Sequence, residues 1–329
     1  YYQCEGDTTP NQPTLPANSI WLMQVTITTS AITTVVRPPG FTSSPFPGRG
    51  AVYVDEFGAD PTGVADSAAA IETAMRTVAN PATPILFRGS GTYLVTRPLV
   101  VPIVNARFAA LTFDSTGGSY YKAAINYSGI GTSNVLFDFT GAGGEAELTF
   151  KNISLYHTGA DPTDNTNGTA IKLGSASHTH FENVIIQGFN IGLELTGLTL
   201  YSKFISVKLY NNFTYGLFAH NALLNGTSFV NSSFSQTING RGAYVEGGGT
   251  NITFRQSFFE GNFVHGLESV NNISLIVDAC YFEDNDDNDL YVHNGFPHFP
   301  GLATVKDSYF DVDLDKTHTR IRLEGVKLH

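Results

Sequence analysis

The chain is poor in several things that would narrow its chemistry. Of its 329 residues only two are cysteine, Cys4 and Cys280. They lie far apart in sequence, which excludes a disulfide framework. Cys280 falls at an inward position of the repeat described below and reads as a small buried hydrophobe. Charged residues make up only 14% of the chain, and their balance is −11. An acidic surface repels phosphate backbones, so nucleic acid is excluded as a partner. No apolar run approaches the roughly 18 residues that a membrane span requires. The sequence has no Walker loop, dinucleotide fingerprint, H-E-x-x-H, C-x-x-C or G-x-S-x-G elbow, so neither cofactor nor metal is expected and an esterase is the weakest reading. Helical periodicity is also nearly missing, with a single stretch near residues 67–78.

What remains is 42% apolar residues, enough for a sizeable core, in a background of Gly, Asn, Ser and Thr. That balance belongs to an all-β protein with many turns. N-x-S/T sequons recur at Asn126, Asn152, Asn167, Asn212, Asn225, Asn231, Asn251 and Asn272. Turn chemistry accounts for them more simply than glycosylation does.

The second half is organised by a repeat. FKNISLY from Phe150, FENVIIQ from Phe181, FISVKLY from Phe204, FVNSSFS from Phe229, FRQSFFE from Phe254, VDACYFE from Val277 and VKDSYFD from Val305 recur every 23–31 residues. Between them lies a second family, with GLEL from Gly192, GLFA from Gly216, GAYV from Gly242, GLES from Gly266 and DLYV from Asp289. Two short strands per two dozen residues, split by Gly/Asn turns, make one coil of a solenoid that must stack on its neighbours to bury its apolar face. The expected fold is therefore all-β, a right-handed parallel β-helix. Alternation along each strand points the fourth and sixth positions of the first family inward and the fifth and seventh outward.

Residues 52–75 read VYVDEFGADPTGVADSAAAIETAM. A strand runs into a turn carrying Gly58, Pro61 and Gly63, Asp66 stands where a helix N-cap belongs, and Ala68, Ile71, Met75 and Val78 form one helical face. Turn and cap duty explain Asp60 and Asp66 without a metal. This segment resembles the opening of pectate-lyase-like β-helix proteins, especially bacteriophage tailspikes and capsule depolymerases, and the coil pattern from Phe150 to Phe310 extends the likeness. The resemblance implies an N-terminal capping helix on the solenoid. It divides the chain into a neck or linker over 1–50, the strand, turn and capping helix leading into the solenoid over 51–110, and a β-helix body over 111–329. It further implies a homotrimer on an extracellular virion tail, joined by its N-terminus to tail or baseplate proteins. Such a protein binds and depolymerises a bacterial capsular polysaccharide or lipopolysaccharide O-chain.

Coils stack at roughly 4.8 Å, so a position shared by adjacent coils forms a ladder. Glu260, Glu283 and Asp311 fall on one outward column, with Phe258, Tyr281 and Tyr309 in the column beside it. Rings that stack on sugar faces beside acids that handle a glycosidic oxygen are what an oligosaccharide site requires. Neighbouring rungs match a retaining carboxylate pair, and alternate rungs approach an inverting pair. A second outward cluster competes on the other strand family. It contains Glu246 and Glu268 as acids, Tyr244 and Tyr291 as rings, and His220 and His293. Hydrolysis is the first reading. A lyase acting by β-elimination on a uronic-acid polymer is the alternative and would need a cation such as Arg241, Arg255, Lys208 or His265. A receptor-binding spike without catalysis is a third.

The most acidic stretch, EDNDDND at 283–289, lacks the Gly and closing Glu of a calcium loop. The repeat splits it instead. Glu283 ends one strand, Asp284 to Asn288 form a turn in which Asp284 lines the groove, and Asp289 opens the next strand.

Overall fold

A computed structural model of the protein describes residues 24–28, 31–36, 50–78, 83–101, 103–104, 107–108, 111–117, 122–140, 147–158, 165–294, 301–310, 321–324 and 326–328. The chain divides into two compact units, Tyr1–Pro47 and Gly48–His329. In the first, Gln24–Thr28 and Ala31–Val36 pair as an antiparallel hairpin with a bulge between Thr26 and Ile27.

The second unit is a parallel β-solenoid. Three long sheets run its length, with eleven, ten and nine strands. We call them sheets one, two and three. Sheet one carries Leu148–Lys151, His180–Glu182, Lys203–Ile205, Ser228–Val230, Ile252–Arg255 and Ser274–Asp278. Sheet two carries Ile153–His157, Ile185–Gln187, Lys208–Tyr210, Ser233–Ser235, Phe258–Glu260 and Tyr281–Glu283. Sheet three carries Thr169–Leu173, Ile191–Leu200, Tyr215–Asn225, Arg241–Glu246, His265–Val270 and Asn288–His293.

Each first-family heptad is two strands rather than one. Its third residue is left-handed: Asn152, Asn183, Ser206, Asn231, Gln256, Ala279 and Asp307 all have φ between 48° and 58°. That residue turns a corner, so positions one and two belong to sheet one and positions five to seven to sheet two. The inward alternation survives the corner. Phe113, Phe150, Phe181, Phe204, Phe229 and Phe254 form a column through the core of sheet one with centroids 4.6–5.1 Å apart, stacked except where Phe181 tilts against its two neighbours. Phe234, Phe259, Phe282 and Phe310 stack likewise behind sheet two at 4.7–5.0 Å. Ring spacing thus equals coil spacing.

The corner between sheets two and three is closed by buried amides. Asn262 Nδ2 donates to Phe234 O at 2.9 Å and to Asn285 Oδ1 at 2.8 Å. Asn285 Nδ2 donates to Phe259 O at 3.0 Å and to Asp289 Oδ1 at 2.8 Å. Just beyond the corner, four of the five second-family segments begin with glycine because the coils touch there. A Cβ on Gly216 would lie 2.6 Å from Gly242 O.

The expected helix spans Ala68–Thr77 and buries Ala68, Ile71 and Met75. Its N-cap position is Ser67, one residue later than expected, while Asp66 Oδ1 accepts from Ala68 N at 3.2 Å and Thr96 N at 3.1 Å. Asp60 is a turn carboxylate. It accepts from Thr62 N, Thr62 Oγ1, Val64 N and Ala65 N at 2.7–3.1 Å, and those donors hold its pKa down at about 2. Cys280 is 2% exposed and burial pushes its thiol up to about 11, as a buried hydrophobe requires.

The helix also carries a buried carboxylate. Glu72 accepts from Arg97 and from Val100 N at 2.9 Å. The Arg97 guanidinium holds its carboxyl below the ordinary value of 4.5, against the cost of burial. Its charged form is favoured on folding, so this contribution is present above pH 4.5 and is lost as pH falls through the folded value. Glu72→Gln is expected to cost about 1–2 kcal/mol at neutral pH, since Arg97 is half exposed, and to remove part of the acid sensitivity of unfolding. Urea titrations at pH 7 and pH 3 check this; equal loss at both would rule out the ion pair as the cause.

Candidate functional site

The outward face of sheet two brings together one of the two expected clusters. Register pairs Ser233 with Phe258, Phe258 with Tyr281, and Tyr281 with Tyr309. One column over, Ser235 pairs with Glu260 and Glu260 with Glu283. Tyr281 and Tyr309 stack at 4.9 Å, with planes 10° apart, and Phe258 tilts onto Tyr281 at 6.0 Å. Phe258 and Tyr309 keep about half of their surface in solvent, at 49% and 51%. Large rings left that open beside carboxylates form a platform rather than a core. Among the described residues neither Glu260 nor Glu283 forms an ion pair. Adjacent rungs place their backbones roughly 4.8 Å apart.

A cavity of about 490 Å³ opens on this face, between Lys208, Tyr210, Ser233, Phe258 and Glu260. A second of about 300 Å³ adjoins it at the corner, lined by Gln236, Phe263, Asp284 and Asp286. Gln236 borders both. The left-handed φ of 54° at Asp284 makes it the corner residue, as the repeat required, and it lines this second hollow.

One expected residue is not brought into this cluster. Arg255 sits at position two of its heptad, on sheet one, where its Nε meets Asp278 Oδ2 at 2.9 Å. The left-handed Gln256 separates it from Phe258. Asp311 lies outside the described residues.

The second cluster lies on sheet three. Tyr244 pairs with Glu268 and Glu268 with Tyr291, while Glu246 and Val270 share the next column with His293. Glu268 is only 7% exposed. It forms an ion pair with Arg241, and His265 Nε2 stands 3.8 Å away. The Arg241 guanidinium lies over the Tyr215 and Tyr244 rings at 5.9 and 5.7 Å. Burial, then Glu246, pushes the Tyr244 hydroxyl well above its ordinary value, and burial lowers His265. Tyr291 meets His265 at 5.3 Å and His293 at 6.2 Å. Two coils below Tyr244, Glu194 is held by Lys172 Nζ and His220 Nε2, each at 2.9 Å. Both buried acids here are therefore already neutralised by a cation. That is a structural network first; their lone pairs are engaged before any substrate arrives.

Glu194, Tyr215 and Phe218 joined this face without having been picked out as site residues. The signal for Glu194 and Phe218 is the same alternation that selects Tyr244 and Glu268, read two coils and one coil before Tyr244, whereas Tyr215 aligns with Arg241. Among the described residues no group of three or more His, Cys, Asp or Glu could hold a metal ion.

The comparisons with known proteins fit this architecture. The model of the rhamnogalacturonase A/epimerase, pectate lyase-like family matches residues 51–286. The chain belongs to that family. The matched span starts at the Val52 strand and ends inside the acidic corner, so it takes in both Glu260 and Glu283. No curated protein is significantly similar to the chain. Among solved structures, the Acinetobacter phage vb_AbaP_AS12 gp42 tailspike is similar with a TM-score of 0.55 at 10% identity, covering 84% of this chain and 49% of that one. ORF18 of Geobacillus virus E2 is similar at 0.41 and 14% identity, covering 78% and 59%. The A-module of the Azotobacter vinelandii mannuronan C-5 epimerase AlgE4 gives 0.47 and 12%, covering 84% and 96%. The chain thus spans less than two thirds of the two phage proteins. At these identities the likeness is one of fold.

Proposed function

We propose that this protein is the polysaccharide-depolymerising β-helix of a phage tailspike, and that it cleaves a bacterial capsule or O-chain by hydrolysis. Family membership and the phage neighbours support a polysaccharide-acting solenoid. One observation carries hydrolysis: Glu260 and Glu283 are a pair of carboxylates on neighbouring rungs, free of cations among the described residues, beside a row of open rings. Neighbouring rungs set the two strands roughly 4.8 Å apart, which suits a retaining pair, in which one carboxylate attacks the anomeric carbon while the other protonates the leaving oxygen. The glycan lies along the solenoid, its sugar faces on Phe258, Tyr281 and Tyr309. The repeat in the sequence assigns Asp311 as a third acid of the same column. The sheet-three residues Glu246, Glu268, Tyr244, Tyr291 and His293 come second, because Glu268 is committed to Arg241. Like other tailspikes the protein works as a homotrimer on the virion tail, with residues 1–50 as the neck toward tail or baseplate proteins.

The test is an assay for new reducing ends on capsule from the host, with absorbance of unsaturated uronate followed in parallel. Reducing ends without that absorbance are expected. Ends accompanied by the absorbance would establish a lyase, and tight binding with no new ends an adhesin. Tyr281→Ala is expected to raise KM about tenfold, equivalent to about 1.4 kcal/mol, with kcat nearly unchanged. A fall in kcat with constant KM would place the ring at the reacting bond rather than under a bound sugar.

A further inference from the structure

Of the three corners of the solenoid, the one between sheets three and one carries no charge. It is built on successive coils from residues 174–179, 196–202, 221–228, 247–252, 271–275 and 301–303. None of these is Asp, Glu, Lys or Arg, in a chain with 18 basic and 29 acidic residues. The other two corners differ. Lys151, Glu182, Arg255 and Asp278 flank the corner inside the heptads, and Glu260, Glu283, Asp284 and Asp286 gather where sheet two turns into sheet three.

The same corner leaves large apolar groups in water. Tyr201, Leu223, Ile273 and Leu302 are 36–64% exposed. Register sets Leu200 against Asn225, Asn225 against Thr250, Ile252 against Leu275 and Ser274 against Leu302. Tyr201 and Leu302 therefore stand four rungs, roughly 19 Å, apart along the corner. Tyr201 also holds a left-handed φ of 49°, at the position where the next two coils have Gly226 and Asn251. A bulky ring in that conformation is strained. The ring stacks on His178 at 5.8 Å, and a Cβ on Gly226 would come within 3.1 Å of it. Its own coils thus make room for the ring without burying it, and its open surface is left for something outside the chain.

Charge decides what that is. A saccharide is held in a hollow with a few polar groups, and the two cavities described above border sheet two and its corner with sheet three. A different protein answers charge with charge, and this corner offers none to answer. A second copy of the chain brings the same net charge of −11 and the same residues. When copies stand parallel and side by side about a rotation axis, a residue near that axis meets its own counterpart, so a charge of either sign there repels itself. A corner free of both signs and carrying open apolar groups meets that requirement, and the centres of protein interfaces are depleted of charge. Resting on the homotrimer proposed above, we infer that the corner between sheets three and one is the seam through which copies of this chain meet. The copies run parallel, and Tyr201, Leu223, Ile273 and Leu302 each face their own counterparts. Sheet two, with Glu260 and Glu283, is left open to the polymer on every copy.

The experiment uses the full chain with Cys4→Ser, the buried Cys280 staying in place. Tyr201→Cys and Leu302→Cys are made singly and treated with a short bismaleimide, and light scattering reads the mass before treatment. Each variant is expected to cross-link to itself, giving a covalent dimer on a denaturing gel. A mixture of the two should give no link between 201 and 302, because parallel copies keep these positions four rungs apart. Adding Leu223→Lys to either variant should lower the yield at least tenfold, since the new ammonium groups face one another. Ile130→Lys makes the same change on an exposed residue between sheets two and three and should leave the yield unchanged. Circular dichroism establishes that the lysine variants are folded; if Leu223→Lys does not fold, the two cysteine variants decide alone. An oligomer with no same-residue link at either position overturns the seam and leaves the homotrimer. Links between 201 and 302 alone mean antiparallel copies and overturn it as well, as does a yield indifferent to Leu223→Lys. Loss of capsule binding by Leu223→Lys at unchanged cross-linking makes the corner a saccharide site instead. A monomer by light scattering at micromolar concentration overturns seam and homotrimer together. Hydrolysis stands or falls separately, on reducing ends released by the wild type.

Discussion

Replacing Glu260 with glutamine is expected to lower the release of reducing ends by about 10²–10⁴-fold while polymer binding persists. Glutamine keeps the size of the side chain and its place beside Ser235 and Glu283, and it removes only the capacity to give up or take a proton or to attack as a nucleophile. Glu283→Gln should do the same. The double variant should be little worse than either single one, because two groups acting on one bond fail together. Activity assays on host capsule, with circular dichroism to confirm the fold, check the result. If both single variants keep more than a tenth of the wild-type rate, the catalytic pair lies elsewhere, and Glu246 with Glu268 becomes the next to replace.

Phe254→Ala is expected to be the most damaging single change to the solenoid, costing about 3–5 kcal/mol. Phe254 is fully buried. It stacks on Phe229 at 4.8 Å and meets Phe234 and Phe259 edge-on at 5.6 Å each, so it joins the ring column of sheet one to that of sheet two. Val277 above it on sheet one is smaller and has no ring to lean into the gap. Because coils contact only their neighbours, the cavity weakens the interface on both sides of its coil, and the damage falls on the rungs that carry Glu260 and Glu283. Guanidinium unfolding followed by tyrosine fluorescence and by circular dichroism measures it. A loss below about 1 kcal/mol would mean that the neighbouring rings collapse into the space.

The solenoid was legible because its unit repeats. A period of about two dozen residues with two-residue alternation determines which side chains face inward, and the ring columns follow from that. The helix was legible from one apolar face over 68–78. The corner inside each heptad was not. Left-handed φ usually announces itself through glycine, but here Asn, Ser, Gln, Ala and Asp fill the position in turn, so no single residue marks it. Read through the corner as one strand, the heptad hides that Arg255 and Phe258 stand on different sheets. The ion pair of Arg241 with Glu268 was hidden for another reason. It joins residues 27 apart, and only the register of adjacent coils reveals that they touch.

The buried asparagines have a practical consequence for making the protein. Asn167, Asn212 and Asn272 are sequons, and they are 2%, 0% and 7% exposed. The Asn212 amide reaches Phe189 N and Ile186 O, and that of Asn272 reaches Gly249 N and Val245 O. A host that attaches oligosaccharides to the growing chain would modify these side chains before the next coil arrives to cover them. A glycan at Asn212 would then sit where a coil must close. Yeast or insect-cell secretion should consequently give misassembled material, and bacterial cytoplasm the native chain.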